Sequence, residues 1–91
     1  MQIADQSLLS DSELSVLTYL RARRITAKEA TIIELSEISL STGIRDTDEV
    51  LRALYTLEGK NLVTPDPVGD FTSPRWQITD GGLRAFEMLA A

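Results

Sequence analysis

Apolar residues recur at helical spacing in two blocks between Thr31 and Val63, TIIELSEISLSTGIRDTDEVLRALYTLEGKNLV. A Ser41-Thr42-Gly43-Ile44 turn separates them, with the glycine suited to a sharp reversal and the isoleucine to pinning the corner. The first block buries Ile32, Leu35 and Ile38, with Leu40, and opens on Thr31 and Glu34, spaced as a capping box. The second runs over residues 47–58 with Val50, Ala53, Leu54 and Leu57 inward. It opens on the same device, Asp46 and Glu49, and stops at Gly59, the residue type suited to the left-handed C′ position. Asp48, Glu49, Arg52, Tyr55 and Thr56 fall on its outer face. Two short helices joined by a glycine-containing turn carry the helix-turn-helix signature.

The flanking segments fit around this unit. Residues 1–9 read as a flexible arm. Ser10 and Glu13 form a complete capping box, and Leu9 and Leu14 stand at staple positions. The helix they open runs to about Arg23, with Leu14, Leu17 and Leu20 on one face and Val16 at its edge. Residues 24–30 connect it to the central unit, with a short strand expected over Lys28–Ala30. After Gly59 the period changes. Leu62-Val63-Thr64 is a short strand, 65–70 is dense in turn formers, and Arg75-Trp76-Gln77-Ile78 alternates as a returning strand. Trp76 could stack on a nucleic-acid base, but its place beside Ile78 favours packing. Thr79 caps a last helix whose inward side is Leu83, Phe86, Leu89 and Ala90, with Ile78 and Leu83 as staple. Met88 points outward. The whole reads as one domain over residues 1–91, α+β and mostly helical.

The order helix, short strand, helix-turn-helix, hairpin, closing helix resembles a winged helix-turn-helix domain of the MarR, PadR and ArsR kind of bacterial transcription regulator. ATIIELSEISLSTGI is similar to their first helix and turn, and VLRALYTLEGKNLV to the end of their recognition helix, with Asn61 where Gly is usual. WQITDGGLRAF is similar to the phrase that closes their wing. The resemblance implies a three-helix core, a β-hairpin wing and a C-terminal helix. It also implies a two-fold homodimer on double-stranded DNA, with helix 47–58 entering the major groove. On that reading Arg45, Thr47, Arg52, Tyr55 and Thr56 face the groove, and Arg75 touches phosphate from the wing.

Charge complicates that expectation. Nine Lys and Arg stand against fourteen Asp and Glu, a net −5. A DNA-binding surface is normally basic, because affinity grows with the phosphates neutralised. Arg21, Arg23, Arg24 and Lys28 make a local basic stretch. At a helix C-terminus, however, such arginines complement the dipole, which competes with a phosphate-binding role. The would-be groove end carries Asp46, Asp48 and Glu49, and the loop DPVGDFTSP carries two aspartates and an apolar Val68/Phe71 pair. An alternative therefore stands beside DNA binding: an acidic protein-interaction module, adaptor or antagonist of a regulator, docking a basic partner through Asp48, Glu49, Val68 and Phe71.

Enzyme chemistry is not expected. The chain has no His and no Cys, hence no imidazole base, no thiol nucleophile and no nitrogen or sulfur metal ligand. Gly81-Gly82 opens a helix without the lysine of a phosphate-binding loop. No cofactor or metal is implied. MQIADQS is not a signal sequence, and no apolar run is long enough for a membrane span, so a cytoplasmic location is expected.

Overall fold

The computed structural model describes residues 9–27 and 31–90, with 89 and 90 by backbone alone. Helix α1 (Asp11–Ala27) leads to strand β1 (Ile33–Glu34), helix α2 (Leu35–Thr42) and helix α3 (Thr47–Gly59). Strands β2 (Val63–Pro65) and β3 (Arg75–Ile78) follow, then helix α4 (Asp80–Ala90). The architecture is α+β and mostly helical, with a three-stranded antiparallel sheet in the order β1-β3-β2. Among the described residues no helix is long and apolar enough to cross a membrane.

The first capping box forms as its spacing requires. The Ser10 amide donates to Glu13 Oε1 at 3.1 Å, and the Glu13 amide to Ser10 Oγ at 3.2 Å. From there α1 runs past Arg23 to Ala27, one turn further than periodicity suggests. Val16 is fully buried rather than at the edge, whereas Leu14 is exposed.

Thr31 and Glu34 do not form a capping box. Glu34 is the N-cap of α2 by position, but its side chain makes no cap bond, and its backbone is extended at φ −81°, ψ 149°. Sheet pairing takes precedence here. Ile33 lies opposite Trp76 and Glu34 opposite Arg75, and the Leu35 amide donates to the Pro74 carbonyl at 2.7 Å. The first strand is thus at 33–34. The stretch 28–30, where a strand was expected, lies outside the described residues, as do residues 1–8 of the expected arm. Ile33 rather than Ile32 enters the core. Ile32 is exposed, and Leu40 is 81% exposed, contrary to its reading as a core residue.

One buried cluster joins every layer. Val16, Leu17 and Leu20 of α1 meet Ile33, Ile38, Val50, Ala53, Leu54, Leu57, Val63, Trp76 and Ile78. Burying each Leu-sized side chain contributes about 1.5–3 kcal/mol, so α3, with four core residues, is the best-anchored helix. Helix α2 has Ile38 alone fully buried. Polar contacts to α1 supplement it: the Arg23 guanidinium pairs with the Glu37 carboxylate, which also accepts from the Tyr19 hydroxyl.

Gly43 takes the left-handed region at φ 79°, as the turn requires, and Ile44 packs against the core. The C-terminal end of α3 differs from expectation. Gly59 remains helical, Lys60 is the cap, and the positive φ of 64° falls on Asn61. Asn accepts this conformation better than most residues. The strand that follows is 63–65, one residue later than read. Thr79 does cap α4: its Oγ1 accepts from the Gly82 amide at 2.9 Å and donates to the Asn61 carbonyl at 2.7 Å. Leu83 and Phe86 pack on the core. The side chains of Leu89 and Ala90 lie outside the described residues.

Candidate nucleic-acid interface

The outer side of α3, the turn before it and the first residue of β3 hold all six sequence-derived candidates. The turn is tightly fixed. Ser39 Oγ donates to the Ile44 carbonyl, the Gly43 amide to the Ser39 carbonyl at 3.1 Å, and Thr42 Oγ1 to the Ile38 carbonyl at 2.7 Å. Arg45 and Thr47 emerge from it exposed. They line a shallow groove of about 420 Å³ with Ser36, Ser39, Leu40 and Gly43.

Arg52 and Thr56 are exposed on a different flank. They border a groove of about 200 Å³ shared with Glu49 of α3 and with Ser10, Ser12 and Glu13 at the start of α1. The two pairs therefore share one helix but open onto separate depressions. Neither Arg45 nor Arg52 forms an ion pair among the described residues.

The carboxylates at the start of α3 are not equivalent. Asp46 caps the helix by accepting from the Asp48 amide at 2.9 Å, one residue earlier than a capping box requires. Glu49 does not return to the cap. Its Oε2 accepts from Ser12 Oγ at 2.5 Å and so links α3 to α1. Asp48 is exposed at the first turn, where the helix dipole favours a negative charge. Two of the three acids are thus engaged within the protein.

Tyr55 is half-exposed, but its hydroxyl is engaged: it donates to the Phe71 carbonyl at 2.9 Å. Its ring meets Phe71 edge-on, with centroids 6.1 Å apart, and Trp76 at 6.0 Å. Trp76 is fully buried, and its Nε1 donates to the Ser73 carbonyl at 3.1 Å, in keeping with packing rather than stacking. Arg75 is exposed at the loop's end, its Nε 3.7 Å from Asp66 Oδ2. An ion pair this open contributes little.

The loop carries its own scaffold. Ser73 Oγ donates to the Asp66 carbonyl and accepts from the Arg75 amide. Asp70 Oδ1 accepts from both Thr72 Oγ1 at 2.6 Å and the Thr72 amide at 3.0 Å. Those two bonds, the hydroxyl first, hold the Asp70 carboxyl below its ordinary range. Val68 stands 79% exposed at the tip. Sequence reading did not single out Ser12, Ser73 or the Asp70–Thr72 pair. An Asp-x-Thr within a turn is a local signal for the last of these. The Ser12–Glu49 and Tyr55–Phe71 contacts have no local signal, since their partners are far apart in the chain.

Among the described residues no group of three or more His, Cys, Asp or Glu is placed to hold a metal. The site offers side chains that can contact phosphate and base edges, framed by acids and one apolar tip. Compared with protein-family models, curated proteins and solved structures, the chain has no match in any of the three.

Proposed function

We propose that this chain is a winged helix-turn-helix protein that binds double-stranded DNA and regulates transcription in the cytoplasm, without an enzymatic activity. In this reading α2, the Gly43 turn and α3 are the helix-turn-helix, and the β2–β3 loop is the wing. The element order and the β1-β3-β2 sheet order support it. The observation that carries it is the pair Arg45 and Arg52, both exposed and without an ion-pair partner at the start and on the outer side of α3. Asp46 and Glu49 are engaged within the protein through the Asp48 amide and Ser12 Oγ, but both keep their charge on the same surface. Thr47 and Thr56 can contact base edges or phosphate from either flank, and Arg75 can exchange Asp66 for phosphate.

With three arginines per copy, the logarithm of affinity should fall with the logarithm of salt at a slope of about 2.7, roughly doubled in a homodimer. Fluorescence anisotropy of the purified protein with a mixed-sequence duplex, at low and moderate salt, tests this. Steeply salt-dependent binding, reduced by Arg45→Ala and by Arg52→Ala, is the expected result. Absence of binding at low salt would count against the reading.

One observation favours a second reading, the acidic interaction module. Val68 is nearly fully exposed beside Phe71 on the loop, and Asp48 is exposed at the start of α3. A basic protein partner suits such a surface. Val68→Ser is a cleaner test than Phe71→Ala, because Phe71 also packs on Tyr55. Loss of partner capture with Val68→Ser, and indifference to Arg52→Ala, would favour this module.

A further inference from the structure

We propose that Ser12 is a positioning residue: it holds the Glu49 carboxylate toward α1 and so leaves Arg52 free to contact phosphate. The inference rests on the DNA-binding reading above and assigns a part in it to the first turn of α1. Arg52 shares its groove with two carboxylates, Glu13 and Glu49, yet forms an ion pair with neither. Each of those acids instead accepts a bond from the start of α1. Glu13 Oε1 takes the Ser10 amide at 3.1 Å, and Glu49 Oε2 takes the Ser12 hydroxyl at 2.5 Å.

Glu49 is the acid best placed to draw Arg52 away from DNA. The two stand three residues apart on α3, the spacing at which opposite charges meet on a helix surface. Such a pair is weak in solvent, so one hydrogen bond to the ionised carboxylate is enough to hold it elsewhere. Ser12 can supply that bond because its own place is fixed. The capping box closes around it from Ser10 to Glu13, and Val16, one turn further on, lies in the core shared with α3. Without the Ser12 hydroxyl, Glu49 loses its partner on α1, and Arg52 is the cation lining the same groove. An arginine that stays paired with a carboxylate neutralises no phosphate and releases no counterion.

The test uses the whole chain as wild type, Ser12→Ala, Ser12→Thr, Glu49→Gln and the Ser12→Ala/Glu49→Gln double variant. Ser12→Ala is also combined with Arg52→Ala and with Arg45→Ala. Anisotropy against a mixed-sequence duplex is measured over a salt series, and a cooperative thermal transition well above the assay temperature verifies folding. Expected for Ser12→Ala are a roughly two- to fivefold loss of affinity and a salt slope lower by up to about 0.9, one phosphate contact. Ser12→Thr keeps the hydroxyl and should bind as the wild type does. Glu49→Gln should bind more tightly, and adding Ser12→Ala to it should change nothing further. The loss should also vanish on Arg52→Ala but persist on Arg45→Ala, because Arg45 opens onto the other groove. Without DNA, solvent exchange of the Arg52 Nε–H, followed by NMR, should slow in Ser12→Ala.

Wild-type affinity and slope in Ser12→Ala would overturn the proposal. So would a loss that persists on Glu49→Gln or on Arg52→Ala, or an unaltered exchange of the Arg52 Nε–H. If the wild type binds duplex with a steep slope while Ser12→Ala is indifferent, only this proposal falls. If the wild type binds no duplex, the DNA-binding reading falls and takes the proposal with it.

Discussion

Gly82 lies so close to Leu62 that a Cβ placed on it would come 2.1 Å from the Leu62 carbonyl oxygen and 2.6 Å from Ile78 Cγ1. The first turn of α4 thus seats directly on the backbone that enters β2. The Thr79 amide completes the joint by donating to the same Leu62 carbonyl at 3.0 Å.

Gly82→Ala should therefore destabilise the protein by about 2–3 kcal/mol, because backbone cannot give way as a side chain can. Gly81→Ala places its Cβ 3.2 Å from the Asn61 carbonyl and should be much milder. Urea unfolding of the two variants checks this. Equal midpoints would refute the close seating.

Leu54→Ala should cost about 2–5 kcal/mol, since Leu54 is completely buried. Leu40→Ala should stay within about 0.5 kcal/mol, because Leu40 is largely in solvent. Thermal unfolding followed by circular dichroism separates the two. A large loss from Leu40→Ala would mean that the residue is covered after all.

Ser10→Ala removes one arm of the α1 capping box and should cost about 1 kcal/mol, a drop in Tm of roughly 4–8 °C for a domain of this size. Thr31 offers no equivalent prediction as a cap. Chain pairing at β1, not a capping box, starts α2.

Asn61→Ala should destabilise by about 1–2 kcal/mol, because alanine lacks the tolerance of asparagine for φ 64°. Asn61→Gly should be neutral or slightly stabilising at the same position. Denaturant midpoints of both variants decide the matter, and the reverse ranking would contradict the left-handed backbone.

Asp70 predicts a pH effect with a definite sign. Its folded carboxyl titrates below the ordinary value of 3.8, because the Thr72 hydroxyl and amide favour the charged form. The loop stabilisation is therefore complete above about pH 3.8 and is lost as pH falls through the lower folded value. The Thr72 amide shift, followed by NMR, should report a midpoint below 3.8 that rises in Thr72→Ala. A midpoint unmoved by that substitution would show that the hydroxyl bond has no influence.

The sequence disclosed the helices well, because their information is local. The α1 capping box, the Gly43 turn, the four inward residues of α3 and the Thr79 cap are each written within a few neighbouring positions. What it misjudged depends on distant partners. Glu34 has the spacing of a capping residue, but Arg75 lies opposite it in a strand. Glu49 looks like the second arm of a box, but Ser12 reaches it from α1. Leu40 follows the helical period yet falls where no layer covers α2. In the candidate interface, the exposure of Arg45, Arg52 and Thr56 could be read from helix phase. The attachment of Tyr55 to Phe71 could not, because the partner is a backbone atom sixteen residues on, brought near by the hairpin.

The sheet order has a consequence for the sequence of assembly. β3 is the last strand to leave the ribosome, yet it lies between the other two. A nascent chain that ends before Arg75 holds Ile33 and Val63 in two strands with nothing to pair them, and lacks the indole that fills the centre. β1 and β2 pair only through β3, so neither ladder can form until Arg75–Ile78 is available. Until β3 is in place, the backbone N–H and C=O groups of both segments that pair with it have no ladder partner.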